Sequence, residues 1–128
     1  MFCTVKTKED IENFLNKTNS LHDGYIIGVQ YANKGIHKTN CGHFFNSEQT
    51  RLTIQILVTS IYDTLIEIEF ENLLEWQIRD NQWDITDSSV ILDENGSIIW
   101  LDDVYTTAEE MKKGSYVIAK TMKWRVKE

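Results

Sequence analysis

Residues 52–78 alternate between apolar and polar side chains over most of their length, and this pattern constrains the fold more than any other. A period of two is typical of a β-strand with one face on a core and the other in water. The apolar phase of the first run is Leu52, Ile54, Ile56 and Val58, and that of the second run is Ile66, Ile68 and Phe70. Residues 60–63 separate the runs, so the pattern predicts an antiparallel hairpin.

Residues 71–79 permit two interpretations. Leu74, Trp76 and Ile78 keep the even phase, which predicts that the second strand continues with a bend or bulge near Asn72. The apolar residues also fit a helical stripe, although a helix would leave Trp76 off that stripe. The strand is the preferred interpretation, and the glutamates at 67, 69 and 71 are then interpreted as a solvated sheet face.

The flanking segments contain further turn and cap signals. The capping box Thr7-x-x-Asp10 predicts a helix over about 8–17, and residues 106–114 predict a short helix that ends at a glycine. Residues 21–31 read as a strand with Tyr25, Ile27, Val29 and Tyr31 in one phase, and its glycines mark a bulge or a close backbone approach. Strands are also predicted at 2–5, 90–92, 97–101 and 116–126, and 42–45 is either a short strand or part of a loop. The strands at 90–92 and 97–101 are predicted to form a hairpin, because Gly96 can take the left-handed conformation that its turn needs.

Together these segments predict a single α+β domain spanning residues 1–128. Its mostly antiparallel, curved sheet has six or seven strands, with an N-terminal helix and a short helix before the last strand. The chain contains no proline, so glycine, asparagine and aspartate are expected to form its turns.

Charge and hydropathy narrow the classes of partner. The net charge of -7 opposes a phosphate backbone, so we expect no nucleic acid to be the main partner. The sequence has no signal-peptide pattern and no apolar stretch long enough to cross a bilayer. Its two cysteines do not form a disulfide framework, which favours a cytoplasmic location, and its composition hints at a bacterial origin. The oligomeric state stays open.

One short segment carries the residues for a metal site. His37, Cys41 and His43 could bind Zn²⁺, but the sequence offers no second Cys/His pair to complete a structural site. Alternatively, Cys41 could act as a nucleophile with a histidine base, or the segment could be a polar surface loop. No other cofactor is predicted, and no catalytic residue is assigned.

A second set of residues is a candidate for partner or pocket contacts. His22 and Asp23 precede a predicted strand, where such a pair commonly fixes a turn, and Tyr25 follows them. Four tryptophans are many for this length, and although most are expected in the core, exposed ones would suit a protein interface. The candidates are His22, Asp23, Tyr25, Trp76, Trp83 and Trp100.

The segment from 21 to 78 resembles a group of small uncharacterised bacterial proteins, some of which are similar to immunity proteins of bacterial toxin systems. The resemblance is carried by an (F/L)-H-D-x-x-I start and a later F-x-x-(V/L)-x-x-W strand. The matching positions are Leu21, His22, Asp23, Ile26, Phe70, Leu73 and Trp76. The resemblance implies a β-rich, non-enzymatic fold that binds a partner, and it implies no catalytic residue.

The sequence therefore supports three hypotheses about function. The first is a small cytoplasmic bacterial protein that binds another protein without catalysis. The second is a metal- or thiol-dependent enzyme that uses His37, Cys41 and His43. The third is a small-molecule binding module with a pocket near His22 and Tyr25.

Overall fold

The computed structural model describes residues 1–38, 42–79 and 84–128, with the backbone alone at 36–38, 43, 44 and 47. Its helices are α1 (Lys8–Lys17) and α2 (Ala108–Met111). Its strands in the described residues are β1 (Cys3–Thr4), β2 (Gly24–Asn33), β3 (Ile36–Lys38), β4 (Gly42–Phe44), β5 (Thr50–Val58), β6 (Thr64–Gln77), β7 (Ser89–Leu92), β8 (Ile98–Leu101) and β9 (Tyr116–Val126).

Seven of these strands form one open antiparallel sheet. Six of them lie side by side in the order β2-β5-β6-β9-β8-β7. The seventh, β1, pairs with β9 on the same side as β8 but at the opposite end of β9. A separate two-stranded sheet joins β3 to β4. This architecture confirms the predicted α+β fold, including the N-terminal helix and the short helix before the last strand.

The predicted hairpin is formed by β5 and β6, and β6 continues as a strand to Gln77. Asn72 has a left-handed φ of 58°, and the pairing with β9 shifts between Leu73 and Glu75. This irregularity confirms the predicted bulge and excludes the helix. The predicted phase is wrong at Leu74, because Leu73 follows the left-handed Asn72 into the core and Leu74 is the extra, half-exposed residue.

One face of the sheet packs against α1. The Thr7 side chain accepts a hydrogen bond from the N–H of Asp10, and the Asp10 carboxylate accepts one from the N–H of Thr7, which completes the predicted capping box. The helix buries Ile11 and Phe14, and the Phe14 ring meets the edge of the Trp124 ring with the centroids 5.5 Å apart. None of the helices in the described residues is long and apolar enough to cross a membrane.

The opposite face of β6 and β9 carries a ladder of ion pairs. Arg125 and Lys127 both contact the Glu67 carboxylate, at 2.9 and 3.3 Å, while Arg51 Nε lies 3.1 Å from Glu69. Glu67 is only 6% exposed. The solvated face expected for these glutamates is therefore wrong at Glu67, because Arg125 of β9 and Lys127 just after it cover its carboxylate.

The ladder keeps Glu67 ionised. Burial alone would raise the pKa of its carboxyl group, but hydrogen bonds from Gln55, Lys127 and Arg125 outweigh burial and lower it. A carboxyl group whose pKa is lowered in the folded state stabilises the fold above its unfolded pKa. This stabilisation is lost as the pH falls through the folded pKa.

We therefore expect the free energy of unfolding of Glu67→Gln to depend less on pH in the acid range than that of the wild type. The wild type should lose stability as the pH falls below 4.5, the ordinary pKa of a glutamate, and the variant should lose less. Urea unfolding at about pH 7 and about pH 3.5 measures the difference. The control Glu94→Gln removes one charge from an exposed turn and should lose as much stability between the two pH values as the wild type. Equal losses for all three proteins would contradict a stabilising role for the ladder.

Candidate functional site

The strand β2 lies at one edge of the seven-stranded sheet and pairs with β5 along its whole length. Its ten residues contain no charged side chain, and the nearest charges along the chain are Asp23 before it and Lys34 after it. Among the described residues, the one bridge on its outer side joins Gly24 to Ile85. Beyond this bridge, no other described strand pairs with the outer side of β2, where an incoming strand could bond to the backbone.

Four large apolar side chains of β2 are exposed. We use the term β2 edge for these side chains together with the backbone groups of β2 that face away from β5. Tyr25 is 45% exposed, Ile27 56%, Val29 42% and Tyr31 47%. A neighbouring strand that paired with β2 would cover them. Exposed apolar residues along an unpaired edge favour association with another chain.

A bulge divides the β2 edge between the two faces of the sheet. The pairing with β5 shifts between Ile26 and Gly28, which confirms the bulge predicted from the glycines. Tyr25 pairs with Leu57, whereas Val29 and Tyr31 pair with the core residues Ile54 and Leu52. The single phase expected for Tyr25, Val29 and Tyr31 is therefore wrong, because the extra residue moves the last two to the core face.

The predicted contact residue Trp76 lies beside the β2 edge. Its ring stacks on the Tyr31 ring, with centroids 5.5 Å apart and planes 23° from parallel. Trp76 comes from β6, and β5 lies between that strand and β2. The two rings form an aromatic surface at one end of the edge, where offset stacking holds both in place.

The start of β2 is held by an unusual turn. Asn19, Ser20 and Leu21 each have a φ of 54°, and Asp23 has a φ of 57°. Left-handed backbone costs about 1–2 kcal/mol for each residue that is not glycine. Burial of the Leu21 side chain, which is completely inaccessible, helps to offset this cost.

Hydrogen bonds tie the turn to two other segments. The hydroxyl and N–H groups of Thr59 both donate to the carbonyl of Asp23, at 2.9 and 3.2 Å. The N–H of Ser88 donates to Ser20, and Ile85 exchanges bonds with Asp23 and Gly24. The first residue of β2 is thereby fixed against the β5–β6 connection and the chain before β7.

His22 lies in an acidic surrounding at this end of the β2 edge. Its Nδ1 contacts the carbonyl of Thr86, and its ring nitrogens lie 3.6 Å from Asp23 Oδ1 and 3.8 Å from Asp87 Oδ1. The Thr86 carbonyl and then Asp23 raise the pKa of the imidazole, with smaller contributions from Asp87 and Asp84, while burial acts against them. The end of the edge is therefore negative and attracts cations.

The other predicted site residues are distributed differently. Trp100 is completely buried and lies in the core, so it presents no surface to a partner in this conformation. Trp83 lies outside the described residues. Tyr25 and the turn residues His22 and Asp23 come together at the start of β2, whereas Trp76 lies near its other end.

The predicted zinc residues are only partly within the described chain. His37 and His43 are directly opposite each other in the β3–β4 pairing, and Cys41 lies outside the described residues. In the part of the chain that the structure describes, no group of three or more His, Cys, Asp or Glu residues could hold a metal ion. The zinc site stays a prediction.

Ile27, Val29 and Tyr31 were absent from the predicted site. The alternation of residues 25–31 predicted a strand but did not indicate which of its side chains are exposed. The signal that could have identified an edge is the run of ten uncharged residues between Asp23 and Lys34, because it lies in a segment that is rich in apolar β-formers.

Comparisons with models of protein families, with curated proteins and with solved structures gave no match to the chain.

The turn before β2 can be tested at its glycine. A Cβ atom at Gly24 would lie 2.6 Å from the carbonyl oxygen of Leu21 and 3.0 Å from Ile56 Cγ2. We expect Gly24→Ala to lower the free energy of unfolding by about 1–3 kcal/mol, because the contacted backbone is held by the turn. Urea unfolding measures the change.

Gly28→Ala is the matched control in the same strand. The nearest atom to its added Cβ would be the flexible Gln55 Oε1, at 3.3 Å, so a small side-chain shift can accommodate the methyl group. We expect its stability to stay within about 1 kcal/mol of the wild type. Equal losses for the two alanine variants would show that the turn does not constrain β2.

Proposed function

We propose that this chain is a small cytoplasmic bacterial protein that acts by binding another protein, without catalysis, at the β2 edge. The carrying observation is the exposure of four large apolar side chains along an uncharged edge strand. The resemblance to immunity proteins of toxin systems implies the same class of function.

Strand addition is the binding mode that suits this surface. An extended segment of the partner would bond to the free backbone groups of β2 and continue the antiparallel sheet. Its side chains would cover Val29 and Tyr31 on one face and Tyr25 on the other. The stack of Tyr31 on Trp76 provides a rigid aromatic contact, of the kind that often contributes strongly to protein interfaces.

The charge distribution favours a partner with a basic residue near the start of β2. Asp23, Asp84 and Asp87 surround His22 there, and the whole chain carries a net charge of -7. Complementary charge speeds encounter and fixes the orientation of the added strand. A cation opposite this end would orient the partner along the edge.

The same reasoning disfavours nucleic acid as the partner. The basic residues near the C-terminus could have formed a phosphate-binding patch, but Lys123, Arg125 and Lys127 contact glutamates of β6. Their charges are therefore largely neutralised within the chain. Phosphate binding would require those ion pairs to break.

Affinity capture from a bacterial lysate with matched baits tests the proposal. Val29→Lys places a charge in the middle of the β2 edge, and the control Ile91→Lys places one on β7, the strand at the opposite edge. The two residues are similarly exposed, at 42% and 46%. We expect the wild type and Ile91→Lys to retain the same partner in a stoichiometric amount, and Val29→Lys to lose it.

The proposal is contradicted if Val29→Lys captures that partner as well as the wild type does. Circular dichroism and urea unfolding of each bait establish that the lysine variants remain folded.

A further inference from the structure

We propose that the β2 edge also pairs with the β2 edge of a second copy of this chain, antiparallel and about a two-fold axis at Val29. This self-pairing rests on the proposed function because it uses the same edge. The strand that occupies the edge is β2 of the second copy. The pairing would make a symmetric dimer with one continuous sheet.

The register follows from the bulge in β2. The ten residues of β2 lie opposite nine residues of β5, and Val29 pairs with Ile54, the middle one of those nine. Four ladder positions therefore lie on each side of Val29. A two-fold axis at Val29 superimposes one half of the edge on the other, so the two copies meet over Ile26 to Tyr31, short of Gly24, whose outer side is bridged to Ile85.

The backbone groups of β2 suit this axis. The carbonyl of Gly24 accepts a bond from Ile85 on the side away from β5. Successive residues of a strand direct their backbone groups to alternate sides, and the bulge shifts the alternation by one. The groups of Ile26, Val29 and Tyr31 therefore face outward, so that Val29 meets its own copy and Ile26 meets Tyr31 of the second copy.

The charges at the two ends of the strand are complementary under the same axis. Asp23 precedes Gly24, and Lys34 follows Asn33. The two-fold axis brings Lys34 of each copy toward the acidic end of the other copy's edge, where Asp23, Asp84 and Asp87 lie around His22. Opposite charges at both ends favour the antiparallel register over a shifted one.

The other edge strands lack these features. β7 has four residues and β1 has two, which limits the backbone that either could offer to another chain. β2 has ten, without charge or proline along its length. Long, uncharged edges are the ones from which strand-to-strand association is expected.

Disulfide trapping tests the register. Val29→Cys, in a chain whose Cys3 and Cys41 are replaced by serine, should form a disulfide-linked dimer on mild oxidation. Paired residues opposite each other in a sheet lie at about 5.5 Å, within the range that a disulfide spans. Position 91 is similarly exposed but lies on β7, so Ile91→Cys in the same background should stay largely monomeric.

Sedimentation equilibrium of the unmodified chain tests the dimer without a cysteine. We expect the wild type and Ile91→Lys to dimerise equally, and Val29→Lys to dimerise at least about ten-fold more weakly, because two like charges meet at the axis. Lys34→Glu should also weaken the dimer, and added salt should reduce that difference.

A wild-type monomer at every concentration, or equal trapping of the two cysteine variants, would overturn the self-pairing. If Val29→Lys still abolishes capture of a different protein, that result leaves the proposed function standing. A dimer broken by Val29→Lys, with no other protein captured by the wild type, would instead support self-pairing and contradict the proposed function.

Discussion

The pairing of three long strands, β5, β6 and β9, is the constraint on which the rest of this structure depends. Ile54 of β5 pairs with Ile68 of β6, which in turn pairs with Trp124 of β9, so the core face is continuous across all three. Because successive side chains point to opposite faces, the same pairing aligns the residues between them. The ion pairs of Glu67 with Arg125 and Lys127 are therefore a direct consequence of the core register.

An open sheet must end in two edges, and the two edges of this sheet differ in length. On one side the sheet ends in the four-residue strand β7, and on the other in the ten-residue β2. The left-handed turn at residues 19–23 fixes the start of β2, and the bulge at Ile27 places Val29 at its midpoint. The proposed binding of another chain at β2, whether a partner or a second copy, rests on this asymmetry.

Local patterns in the sequence were sufficient for most of the fold. Alternation, the Thr7 capping box and Gly96 predicted the strands, the first helix and the β7–β8 hairpin, because each depends on residues close together in the chain. The phases of residues 25–31 and 71–79 were only partly correct. A bulge depends on which residue the neighbouring strand offers, and a single strand's pattern does not contain that information.

The candidate site was harder to predict for the same reason. His22, Asp23, Tyr25 and Trp76 stood out by residue type, and the structure places them along or beside one strand. Trp100 also stood out, but its burial depends on the packing of β8 between β7 and β9. That β2 is an edge depends on the order of strands in the sheet, and this order is set by contacts distant in sequence.

The central claim is that the backbone edge of β2 is open within one chain, and residue-resolved amide hydrogen exchange tests it directly. In a solution dilute enough for the chain to be monomeric, the outward-facing amides of Val29 and Tyr31 should exchange quickly. The amide of Gln30, which lies between them and faces Thr53 of β5, should exchange slowly. Equal protection of all three amides in the monomer would show that another part of the chain covers the edge, and would contradict the account.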